Sequence, residues 1–86
     1  MIELVYEIKF ENGTEINRYL ACAYAEGFCE GENATPEDQM RAWSYLCGSN
    51  AANSLQGWYG RTINNLINEG FMNNLGKVNW DKFNNS

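Results

Sequence analysis

The densest concentration of recognition chemistry in this 86-residue sequence is Leu55-Gln56-Gly57-Trp58-Tyr59-Gly60-Arg61. Within about two helical turns it sets two aromatic rings, an amide, a cation and two residues without side chains. The rings offer rigid contact area, Gln56 with Asn64 or Asn65 can hydrogen-bond a ligand or partner, and Gly57 and Gly60 expose backbone. At i, i+3 spacing, Trp58 and Arg61 are expected to stack as a cation–π pair worth about 0.5 to 1 kcal/mol when exposed. Gln56, Gly57, Trp58, Tyr59, Gly60 and Arg61 are therefore the candidate binding residues. A plainer reading stands beside this one. Tyr59 lies on the apolar stripe of its helix and reads as core, Trp58 lies at the border, and the glycines either break the helix or admit a neighbouring helix closely.

A second candidate surface is acidic. Between Arg18 and Arg41 every charged side chain is negative: Glu26, Glu30, Glu32, Glu37 and Asp38. Such a run either forms a solvated face around a helix start or attracts a basic partner.

Catalytic chemistry is poorly provided for. With no histidine in the chain, the commonest general base, the usual partner of a nucleophilic Ser or Cys and the commonest zinc ligand are all missing. Ser44, Ser49 and Ser54 do not sit in a Gly-x-Ser-x-Gly turn, and no glycine-rich loop carries the Lys and Ser or Thr of a P-loop. Glu26, Glu30 and Glu32 lack the spacing of a calcium loop. The chain reads as non-enzymatic, with no cofactor and no metal site. Cys22, Cys29 and Cys47 are an odd number without a Cys-x-x-Cys pair, and the Met1 end does not read as a secretory leader, so a reducing, cytoplasmic compartment is expected. One heptad separates Cys22 from Cys29, which on a continuous helix puts both on one face as small buried hydrophobes.

Six basic against eleven acidic residues give a formal charge of −5. Phosphate backbones are bound by clustered cations, whereas Lys9, Arg18, Arg41, Arg61, Lys77 and Lys82 are scattered, so DNA is an unlikely partner. No apolar stretch approaches the roughly 20 residues that span a bilayer, so no membrane partner is expected.

The elements that must position these residues are an α+β arrangement, mainly helical, in one small domain over 1–86: strand and turn over 1–13, a helical part over 14–72 and a tail over 73–86. Ile2, Leu4, Tyr6, Ile8 and Phe10 alternate with Glu3, Val5, Glu7 and Lys9, the period of a half-buried N-terminal β-strand. After the Asn12-Gly13 turn, two continuations compete. One is a hairpin strand, which a three-residue bulged turn would register with Ile16 opposite Ile8. The other, favoured by the alanines and Leu20, is a helix capped by Thr14, carrying Ile16, Tyr19, Leu20 and Ala23 and ending near Gly27. A second helix is expected from Pro36 to Cys47, with Thr35 as cap, Glu37 and Asp38 in its first turn, and Gly48 in the left-handed C-terminal position. A third begins after Ser49 or Asn50, carries Ala52, Leu55, Tyr59, Ile63 and Leu66, and closes at Gly70-Phe71 in a Schellman ending. Val78 and Trp80 alternate weakly and suggest a short C-terminal strand. The N-terminal strand must find its partner in that tail, in a hairpin or in another copy of the chain, which leaves a homo-oligomer open.

Ala42-Trp43-Ser44-Tyr45-Leu46, the run from Leu55 to Arg61, and Leu66-Ile67-Asn68-Glu69-Gly70 together resemble a group of small, uncharacterised bacteriophage-encoded proteins. Their pattern reads Ala-Trp-x-Tyr-Leu, a Thr-Gly-containing turn, Ala-Trp-x-Leu-Gln-Gly-Trp-Tyr-Gly-Arg and Leu-Ile-x-x-Gly, with Asn53 here where the group often has Trp. The resemblance spans residues 26–72 at most, and Gly48-Ser49-Asn50 stands in place of the Thr-Gly turn. It implies a viral or prophage origin and action in the bacterial host cytoplasm, with no established activity. The expectation is a phage-type accessory protein that binds and modulates a host protein, as an inhibitor, an anti-defence factor or an agent of host takeover. The alternative is a module that sequesters a small nucleotide-like ligand on Trp58, Tyr59 and Arg61. A remote third is a helix-turn-helix over 50–72 with Arg61 on the recognition helix, which one cation serves poorly.

Overall fold

A computed structural model describes residues 5–51 and 57–85 of the chain. Among these residues the order is α1 (Arg18–Glu26), a single 3₁₀ turn (Cys29–Gly31), α2 (Pro36–Gly48), α3 (Gly57–Asn68) and α4 (Trp80–Asn84).

The first helix starts at Asn17, not at Thr14: the Asn17 side chain accepts from the Leu20 amide at 2.8 Å. Thr14 and Glu15 are used differently. The Asn12-Gly13 turn folds the chain back, with the Phe10 N–H on the Thr14 carbonyl and the Ile16 N–H on that of Ile8, each at 2.9 Å. Gly27, at φ 77°, then takes the left-handed position that ends α1. Fully buried Ala21 and Ala23 let α1 pack on α2.

Over residues 5–18 the expected N-terminal strand or hairpin is not formed, the start of the predicted strand lying outside the described residues, and the α+β class is corrected to mainly helical: among the described residues there is no strand or sheet. The returning chain makes one isolated antiparallel bridge, Lys9 with Glu15. The alternating pattern does not produce one apolar face either, since Phe10 is 3 % exposed and Ile8 is 47 % exposed. The physical reason lies in α2, which supplies side-chain acceptors where a sheet would supply carbonyls. Glu7 donates its backbone N–H to Ser44 Oγ at 2.9 Å and Glu11 donates its own to Asp38 Oδ1 at 3.1 Å. An extended segment whose amides are satisfied in this way has no need of a second strand.

The second helix is the centre of the molecule. Thr35 caps it by accepting from the Asp38 amide, and Pro36 occupies the first turn, as its sequence predicts. Its end differs from expectation. Gly48 is the last helical residue, and the left-handed position falls to Asn50 at φ 62°. Gly48 is instead a packing requirement, because a Cβ there would lie 2.3 Å from the Tyr6 ring.

The third helix closes as its sequence predicts: Gly70 at φ 84°, the Gly70 N–H on Ile67 and the Phe71 N–H on Leu66 make the Schellman pair. The proposed starting stripe at Ala52 and Leu55 lies outside the described residues. Gly60 does not break α3, and among the described residues nothing lies within 4 Å of where its Cβ would be, so none of them approaches it closely. The expected C-terminal strand is likewise replaced. Val78 meets Met72 in an isolated bridge, and Asn79 then caps the short α4 through the Lys82 amide. Between them the Asn73 side chain accepts from the Leu75 and Lys77 amides at 2.8 and 3.0 Å, which fixes a tight turn.

Candidate functional site

Of the six candidate binding residues, Gln56 lies outside the described residues. Gly57 opens α3 and is exposed, Gly60 is half-buried in its second turn, and Arg61 is exposed. Trp58 and Tyr59 divide as their positions on the helix require. Tyr59 is 5 % exposed and belongs to the core, while Trp58 is 42 % exposed.

The expected stacking of Arg61 on Trp58 does not occur. Trp58 sets its ring against Trp43 at 5.5 Å and against Tyr59 at 5.0 Å, both edge to face. A guanidinium does cover a tryptophan elsewhere: Arg41 sits 5.0 Å over the Trp80 ring. Trp58 is thus held by two aromatic neighbours while more than a third of it faces outward. Edge-to-face pairs of this kind are worth about 0.5 to 1.5 kcal/mol beyond burial, which locks the ring's orientation.

Tyr59 joins the two candidate regions. Its hydroxyl donates to the Glu26 carboxylate at the end of α1, and Cys22 stands one turn earlier on the same side. Burial, then the bond to Glu26, pushes its pKa well above the ordinary 10.0, so the phenol stays protonated and keeps the proton it donates to Glu26. Tyr19, exposed on the same face of α1, is pushed up to about 12 by its hydrogen bond with Glu30.

The acidic run does not act as one surface. Glu26, Glu30 and Glu32 are exposed, but Glu37 and Asp38 are half-buried. Asp38 is occupied structurally, accepting from the Glu11 amide at 3.1 Å and from Arg41 at 2.9 Å. Arg41 also lies 3.7 Å from Glu7. Sequence spacing placed these carboxylates together. The fold assigns Asp38 to holding the N-terminal segment and leaves Glu26, Glu30 and Glu32 at the surface.

The cysteines also depart from expectation. Gly27 ends α1 before Cys29, so Cys22 and Cys29 do not share a helix face: Cys22 is half-buried and Cys29 is exposed at φ 48°. Cys47 is half-buried, which raises its pKa, and its thiol points toward the Asn74 carbonyl at 3.6 Å.

Sequence reasoning missed Ser44, which is 0 % exposed. It was considered only as a nucleophile, yet it accepts from Glu7 and donates to the Gly76 carbonyl at 2.5 Å, joining the N-terminal segment, α2 and the 73–77 turn. No local motif announces that role, because its partners lie 37 and 32 residues away. Among the described residues no helix is long and apolar enough to cross a membrane. No family model, curated protein or solved structure matches the chain.

Proposed function

We propose that the chain is a non-enzymatic, phage-type accessory protein that binds and modulates a host protein in the bacterial cytoplasm, with Trp58 as the anchor of its contact surface. The observation that carries this reading is the combination of exposure and rigidity at Trp58. A tryptophan fixed by Trp43 and Tyr59 before any partner arrives loses little rotamer freedom on binding, and such aromatic anchors dominate interface energetics. Exposed Arg61 lies one turn further along α3, and exposed Glu26, bonded to the neighbouring Tyr59, brings a carboxylate to the same region. The resemblance of residues 42–70 to small phage proteins supports the same reading. The alternative of a nucleotide stacked between Trp58 and Tyr59 loses ground, because Tyr59 is buried and only one of the two rings is open. A recognition helix for DNA is disfavoured by an α3 with Arg61 as its single cation.

Immobilised chain, a Trp58→Ala variant and an Arg61→Ala variant, each checked for helicity by circular dichroism, test this against bacterial lysate. Stoichiometric retention of one host protein by the parent chain is expected. Trp58→Ala should lose at least about 30-fold in affinity, the 2 kcal/mol or more typical of an interface anchor. Equal retention by all three chains, or no stoichiometric protein at all, overturns the proposal.

A further inference from the structure

A cavity of about 270 Å³ lies between α2, α3 and the 73–77 turn, lined by Leu46, Cys47, Asn50, Gly60, Ile63, Asn64 and Asn74. Its apolar wall is firm, since Leu46 and Ile63 are core residues. The polar wall consists of three carboxamides. Five asparagine side chains are committed to the backbone, Asn12, Asn17, Asn73, Asn79 and Asn85 each capping a helix or fixing a turn. Among the described residues, no hydrogen bond engages the side chains of Asn50, Asn64 or Asn74, the three that meet at the cavity.

Gly60 adds an independent observation. A glycine inside a helix costs up to about 1 kcal/mol relative to alanine. Glycines kept for close packing are identifiable here: a Cβ on Gly31, Gly48 or Gly76 would meet neighbouring atoms at 2.2 to 2.6 Å. At Gly60 a Cβ would meet nothing within 4 Å among the described residues, and its φ is not positive. Among the described residues, neither packing nor backbone conformation explains the glycine. What its missing side chain provides is room in the cavity and bare helix backbone along its wall.

We infer that this cavity is a binding site for a neutral nucleobase. Carboxamides present a donor and an acceptor side by side, the complement of the paired groups along a base edge, and asparagine reads adenine in this manner. Ile63 and half-buried Cys47 give the wall an apolar edge that suits a flat ring, with fully buried Leu46 as the support behind it. The volume falls just below the roughly 300 to 1,000 Å³ of drug-sized pockets, which suits one ring system and not a dinucleotide. None of the seven lining residues is charged and the chain as a whole carries −5, so nothing there favours a phosphate. The site is separate from the proposed protein-binding surface. On a helix of about 3.6 residues per turn, Gly60 and Asn64 stand on the opposite side of the Tyr59 and Ile63 stripe from Trp58.

Isotope-labelled full-length chain titrated with adenine, cytosine and uracil tests the site by two-dimensional NMR. At least one base should give saturable shifts of the Gly60 amide and of the side-chain amides of Asn50, Asn64 and Asn74. Asn64→Ala, at an exposed position, should keep the fold and weaken that base about tenfold, the loss of one well-placed hydrogen bond. Gly60→Leu should fill the cavity and abolish the shifts. Adenosine monophosphate should bind no tighter than adenosine. Absence of saturable shifts with all three bases, shifts confined to residues outside the cavity, undiminished binding by folded Asn64→Ala, or tighter binding of the monophosphate would each overturn the assignment.

Discussion

Helices α2 and α3 are nearly equal in length, 13 and 12 residues, yet the fold uses them in opposite ways. Met40, Ala42, Trp43, Ser44 and Leu46 of α2 are buried, and Asp38, Arg41, Ser44 and Tyr45 hold other parts of the chain. Asp38 and Ser44 hold the backbone of the N-terminal segment, Arg41 covers Trp80, and Tyr45 packs edge to face on Tyr6. Of α3, only Tyr59 and Ile63 are buried. A helix with this many long-range attachments tolerates little change. A helix attached by one stripe leaves two flanks open, and the anchor at Trp58 and the cavity at Gly60 occupy one each.

The sharpest test of this contrast is a small addition to α2. Gly48→Ala should improve intrinsic helix propensity and still destabilise the chain by about 3 kcal/mol or more, since the new methyl collides with Tyr6. The obstructing atoms include Tyr6 Cβ at 2.4 Å, which cannot swing aside as the end of a long side chain would. Chemical denaturation with an unchanged m-value measures the loss, and a Gly48→Ala chain as stable as the parent would remove α2 from its central place. Ser44→Ala comes next. It leaves the Glu7 amide without its acceptor and the Gly76 carbonyl without its donor, at an expected cost of about 2 kcal/mol. Hydrogen exchange should locate that loss at the Glu7 amide and in the 73–77 turn, with α3 unaffected.

The same contrast explains what the sequence revealed. The start of α2 and the end of α3 were legible because their signals are local: Thr35 and Pro36 satisfy or dispense with the first amides, and Gly70 takes a conformation other residues resist. The N-terminal segment was misread because alternation reports a pattern of apolar residues and not the source of the hydrogen bonds. Those come from Ser44 and Asp38, distant in sequence, and no periodicity encodes them. The cysteine reading failed for a local reason, as Gly27 ends the helix that the heptad spacing assumed. Trp58 and Arg61 had the right spacing for stacking, but Trp43, invisible to a local reading, took the ring first. Asn50, Asn64 and Asn74 converge only through tertiary structure, so the cavity had no signature beyond a helical glycine without an evident purpose.

Tyr59, where α3 meets α1, provides a test of intermediate size. Tyr59→Phe should cost about 1 kcal/mol at neutral pH, because the ring stays buried and exposed Glu26 regains water in place of the phenol. Its pH dependence sharpens the prediction. With the folded-state pKa raised above the ordinary 10.0, the unfolded chain releases the phenolic proton first as pH rises. The stabilising contribution is therefore complete below about pH 10 and is lost progressively above it. The parent chain should lose stability above that pH more steeply than Tyr59→Phe. Tyr19, also raised, is common to both chains and cancels in the difference. Parallel pH profiles would show that the phenol is neither buried nor bonded to Glu26 in solution.

The smallest expected effect has the opposite sign. Gly60→Ala adds the same methyl group as Gly48→Ala, again inside a helix, but into open space. Reduced freedom of the unfolded chain and better helix propensity should stabilise the protein by about 0.5 to 1 kcal/mol. For a domain of this size that raises the thermal midpoint by roughly 2 to 8 °C, readily measured by circular dichroism. Two identical substitutions of opposite sign would show that α2 needs its glycine for the fold while α3 keeps one against the interest of stability. A destabilised Gly60→Ala chain would mean that the space beside α3 is already filled in solution, and neither the contrast between the helices nor the cavity would survive it.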